Sequence, residues 1–84
     1  MKAKNDMITE PSQVVINRLL KLGYKKHDDW IIGFDKDGPR HWYAAYFEKD
    51  GQDYLVTAAA LTGYWVIEIC SSYAFLTVLD EKAE

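Results

Sequence analysis

HWYAAYFEKDGQDYLVTAAA, residues 41–60, reads as two strands joined by a tight turn. Trp, Tyr, Phe, Val and Thr crowd both arms and suit a pleated surface. Asp50-Gly51 between them is the strongest short-range hairpin signal. A two-residue loop at Asp50-Gly51 would set Glu48 opposite Asp53, and like charges directly opposite are unfavourable. A three-residue loop, Lys49-Asp50-Gly51, puts Gly51 at a left-handed bulge position. It pairs Glu48 with Gln52, Tyr46 with Tyr54, Ala44 with Val56 and Trp42 with Ala58, and this is the register the sequence favours.

In that register one face carries Trp42, Ala44, Tyr46, Tyr54, Val56 and Ala58. The other carries His41, Tyr43, Ala45, Phe47, Leu55, Thr57 and Ala59. Neither face is polar, whereas an antiparallel sheet with one wet side alternates apolar with polar. Both faces of the hairpin therefore call for cover.

Around this hairpin the chain offers little to cover it with. Residues 1–8 read as a loose polar arm. Pro11 falls where a helix tolerates proline, in its first turn, with Thr9 or Ser12 as cap. Val15, Ile16, Leu19, Leu20 and Leu22 recur at helical spacing. Gly23 closes the helix, and Tyr24 folds back on Leu19 in a Schellman ending. The helix is expected over about Pro11–Leu22, roughly 18 Å long. Residues 25–29 form a polar connector, and Trp30–Phe34 a first strand in which Gly33 signals a bulge or a close neighbour. Asp35–Arg40 is a turn by composition. Tyr64–Cys70 is a strand with Trp65, Ile67 and Ile69 on one side. Residues 73–79 suit either a last strand or a short helix, the strand being favoured. Asp80–Glu84 is a charged tail expected to fray.

The expected fold is α+β: one N-terminal helix packed on a four- or five-stranded antiparallel meander, a single small domain over residues 1–84. Four strands make a sheet roughly 19 Å wide, and a helix is about 10 Å across. One sheet face is thus left without a covering element. The alternative is a strongly curled sheet whose own aromatics fill its inner side.

Composition excludes several classes. With 49% hydrophobic and 14% aromatic residues the chain is expected to fold. One cysteine, Cys70, forms no internal disulfide and fits a reducing, cytoplasmic setting. Met1–Glu10 lacks the apolar core of a signal peptide, and no apolar run is long enough for a membrane span. Net charge is −3, but residues 1–27 carry +4 and residues 28–84 carry −7. The sheet end is acidic, which favours a basic partner.

Sites for chemistry are scarce. Asp35-x-Asp37-Gly38 fails as a calcium loop, because Gly33 and Ala44 would fall at its first and last ligand positions. His27, His41 and Cys70 show no zinc spacing. A small enzyme around His41 and Cys70 needs the two side by side with a third orienting group. No glycine-rich phosphate loop occurs, so no cofactor and no metal is expected. Arg18, Lys21, Lys25 and Lys26 make a basic patch at the helix end, the basis of a nucleic-acid reading. The acidic sheet half weighs against it. The remaining feature is the aromatic sheet surface. Its candidate binding residues are Trp42, Tyr46 and Tyr54, with Asp37 and Arg40 of the adjoining turn. The expected function is a non-enzymatic protein-binding module or homodimer. An acidic inhibitor of a host-defence or nucleic-acid enzyme, of the kind phages and plasmids encode, is one form of it.

Overall fold

The computed structural model describes residues 10–34, 41–71 and 75–83. Among these residues are one helix, α1 (Gln13–Lys21), and six strands: β1 (Lys25–Lys26), β2 (Ile31–Phe34), β3 (His41–Lys49), β4 (Gln52–Leu61), β5 (Tyr64–Cys70) and β6 (Phe75–Lys82). All pairings are antiparallel, in the order β1-β3-β4-β5-β6, with β2 also on β3. The architecture is α+β.

α1 is bounded by its caps. The Ser12 hydroxyl accepts from the Val14 N–H at 3.3 Å, which satisfies one of the free donors of the first turn. At the other end Gly23 N–H donates to Leu20 O and Tyr24 N–H to Leu19 O, each at 3.0 Å, the bond pair of a Schellman ending. Pro11 precedes the cap rather than opening the helix, so α1 is shorter than the expected Pro11–Leu22.

The first edge of the sheet is split. β1 pairs with Phe47 and Glu48, and β2 with residues 41–44, so two short strands share the flank of one long β3. Lys25 and Lys26, expected as connector, are therefore strand. His27 N–H extends the ladder to Tyr46 O at 2.8 Å. At the far edge, β6 settles the ambiguous segment as strand from Phe75 onward. It also corrects the frayed tail: Asp80, Glu81 and Lys82 pair with Val66, Trp65 and Tyr64.

The central hairpin takes the two-residue turn, not the three-residue one. Lys49 pairs with Gln52, Glu48 with Asp53 and Phe47 with Tyr54. Asp50 (φ 54°) and Gly51 (φ 78°) both adopt the left-handed region, the geometry that matches the twist of the flanking strands. The Glu48–Asp53 juxtaposition is accepted because the ladder beyond it demands this register. Val56 lies between Ala45 and Ile69, and Ala58 between Tyr43 and Ile67. The favoured alternative would have moved Thr57 into the core and Val56 out of it, since a one-residue slip exchanges the faces.

The covered face is thus Tyr43, Ala45 and Phe47 of β3, Val56 and Ala58 of β4, and Ile67 and Ile69 of β5. All are buried in one cluster with Val15 and Leu19 of α1 and Trp30. The helix alone is too short for this face. Trp30, in the gap between β1 and β2, completes the cover, its ring 5.4 Å from Phe47 and 6.5 Å edge-on from Tyr43. Its indole Nε1 is buried without a hydrogen-bond partner, a local cost offset by the apolar area the ring removes from water. Arg18 of α1 reaches Glu81 of β6 at 2.9 Å.

Candidate binding face

The opposite face is read from the same register. Across the strands, Lys25, Glu48 and Asp53 form one row, and Tyr46, Leu55 and Cys70 the next. Ile31, Ala44, Thr57, Glu68 and Val78 form a third. Gly33, Trp42, Ala59, Val66 and Asp80 follow, then Leu61, Tyr64 and Lys82. Among the described residues eight large apolar side chains are exposed, and six stand on this face. They are Ile31, Trp42, Tyr46, Leu55, Tyr64 and Val78, between 37% and 64% exposed. Leu20 and Leu22, the other two, belong to α1 and its cap.

Relief follows from side-chain size. Ala44, Thr57 and Ala59 make a low centre. Tyr46 and Leu55 rise on one side of it and Trp42 and Tyr64 on the other. A depression lined by Tyr46, Asp53, Leu55 and Cys70 continues towards the hairpin turn. Trp42 has a second duty. A Cβ at Gly33 would collide with its indole ring, so the ring lies over its cross-strand glycine, the close neighbour expected of Gly33.

Charge on the face is unbalanced. Glu48, Asp53, Glu68 and Asp80 oppose Lys25 and Lys82 among the described residues. Glu48 lies 3.5 Å from His27 Nε2, at the end where Asp53 faces it. Glu68 stands on β5, one strand in from the edge, between Thr57 and Val78 in its row.

Trp42 and Tyr46, two of the expected binding residues, share this face. Tyr54 does not. The register turns it to the covered side, where it meets Tyr24 edge-on at 5.4 Å. Lys49 Nζ caps the Tyr24 ring at 4.9 Å from its centroid. Burial first, then Tyr54 and Asp50, hold the Tyr24 phenol above its ordinary value of 10.0. Tyr54 is thereby a packing residue. Asp37 and Arg40 lie outside the described residues. Ile31, Leu55, Glu68 and Val78 were not singled out from sequence. The signal for them lay in β5, where Glu68 interrupts an apolar strand and marks the wet side.

The other chemistries gain no geometry. Cys70 pairs with Leu55 near the turn end of β4, whereas His41 lies one residue beyond Trp42, which pairs with Ala59 towards the other end. Cys70 is half-buried on the open face. No group of three or more His, Cys, Asp or Glu among the described residues is placed to hold a metal ion. No described helix is long and apolar enough to cross a membrane. Of the basic patch, Arg18 is engaged by Glu81, while Lys21, Lys25 and Lys26 are exposed.

No family model matches the chain, and no solved structure matches it. Over 75 residues it is 27% identical to an enolase of Sulfurimonas denitrificans. The match covers 89% of this chain but 18% of that enolase, so the chain spans under a fifth of the enzyme it resembles. A similarity confined to so small a share of an enzyme brings no activity across.

Proposed function

We propose that this protein is a non-enzymatic binding module that docks a protein partner on the open face of its sheet. The observation that carries this reading is the gathering, among the described residues, of six of eight exposed large apolar side chains on one face. Scattered apolar residues are ordinary on a surface, whereas a contiguous patch rimmed by charge is a mark of an interface. Tyr46 and Trp42 suit such a role, since aromatic residues are enriched in interfaces. An acidic rim fits occlusion of a basic enzyme surface, the form an inhibitor of a nucleic-acid or host-defence enzyme would take. The lone cysteine suits a cytoplasmic setting.

The test is differential capture. Wild-type protein and a Tyr46→Ser/Leu55→Ser variant of matched thermal stability are immobilised and exposed to the same lysate. Both substitutions stand on the exposed face, so the fold should survive. Proteins retained by wild type and lost by the variant are the expected result. Identical retention by both would remove the open face as the docking site.

A further inference from the structure

We infer that the open face takes a basic amphipathic segment of a partner protein, with a cationic side chain seated on Glu68, rather than a second copy of this chain. The inference rests on the docking role proposed above and specifies its partner. Glu68 is exposed and stands within the face on β5, one strand in from the β6 edge. Its row runs Ile31, Ala44, Thr57, Glu68, Val78, and its strand neighbours on the same face are Val66 and Cys70. Asp80 lies diagonally from it on β6, and carboxylates among apolar and small side chains are costly to bury unless the partner supplies a cation.

Self-association stacks the face against itself. Each copy brings four acids, Glu48, Asp53, Glu68 and Asp80, against two lysines, Lys25 and Lys82, so like charges outnumber opposite ones in a stacked pair. This imbalance disfavours the homodimer and favours a basic partner. The relief suits the same occupant. The low centre of Ala44, Thr57 and Ala59 between the larger Tyr46, Leu55, Trp42 and Tyr64 can seat a ridge of side chains, as when an amphipathic helix lies in an apolar groove. Glu48 already faces Lys25 and lies by His27, whereas exposed Asp53 beside it can take a second cation of the partner.

The probe is a synthetic amphipathic helical peptide with a leucine face and one central arginine, beside a counterpart with glutamate in its place. Binding to the full chain is followed by calorimetry at two salt concentrations, and solution mass by sedimentation. The expected result is a monomer that binds the arginine peptide in preference to the glutamate peptide, more weakly at high salt. Glu68→Gln should then weaken the arginine peptide by about twofold to fivefold, as for a partly exposed ion pair, and Glu68→Lys further. Circular dichroism of each variant verifies the fold. Equal binding of both peptides, no binding of the arginine peptide, or indifference to Glu68→Gln would overturn the inference. A dimer broken by Leu55→Lys would overturn it as well, in favour of self-association. Failure of the docking reading itself looks different: the arginine peptide would still bind the Tyr46→Ser/Leu55→Ser variant, placing its site elsewhere.

Discussion

Replacing Gly33 by alanine should destabilise the protein, although alanine is ordinarily the better strand residue. In an open strand the exchange gains roughly 0.5–1 kcal/mol, because glycine loses more freedom on folding. Here the new methyl would strike the Trp42 ring. The ring must swing out, giving up its cover of the β2 backbone, or β2 must part from β3. Overpacking of this kind costs about 1–3 kcal/mol. The outward swing is open to a ring already 37% exposed, which places the cost near the lower end, about 1–2 kcal/mol. For a domain of this size each kcal/mol moves the melting midpoint by about 4–8 °C, so a fall of at least about 4 °C is expected. Thermal denaturation measures it, and tryptophan emission reports the displaced ring as a red shift. Removing the obstacle should reverse the sign: in a Trp42→Ala background, Gly33→Ala should be neutral or stabilising. The two changes should couple by about 1–3 kcal/mol. A neutral or stabilising Gly33→Ala in the wild-type background would refute the reasoning.

Three further outcomes follow from the same contacts. Asp53→Lys turns the like-charged pair with Glu48 into an opposite one, so it should raise stability by about 0.2–1 kcal/mol in urea denaturation, while weakening the basic peptide. Ser12→Ala removes the helix cap and should cost about 1 kcal/mol by the same assay. Tyr43 and Tyr24 hold their phenols above the ordinary 10.0, burial being the main cause in both. The unfolded chain then releases these protons first. Their contribution is complete below pH about 10 and is lost as pH rises through the folded values. Thermal midpoints should therefore fall across that alkaline window, and less steeply in Tyr43→Phe.

Local signals in the sequence were enough to place α1. Its apolar spacing, Ser12 and the Gly23-Tyr24 ending each mark it independently. The hairpin was legible as a hairpin but not in its register, because a local repulsion between Glu48 and Asp53 was weighed above the core pattern. At an exposed end that repulsion is small. Moving Thr57 into the core and Val56 out of it is not. Alternation in β5 held the answer, since only the two-residue turn aligns Val56 and Ala58 with Ile69 and Ile67. Tyr54 was misplaced for the same reason. The strand character of Asp80–Lys82 depends on β5 and on Arg18, 63 positions away from Glu81, a partnership no local composition reveals. The shortage of cover is legible in part: one helix is narrower than the sheet, but the share Trp30 takes in the cover and the side on which Tyr54 falls depend on the register.

The divided first edge bears on how the protein behaves when concentrated. An uninterrupted outer strand is a template on which other chains add end to end, and fibres grow that way. Here the outer rung is broken where residues 28–30 leave the ladder to bring Trp30 inward, and at the other margin three consecutive charged residues occupy the end of β6. Growth sideways is discouraged at both margins. Stickiness is thereby confined to the open face, where contact saturates after one partner instead of propagating.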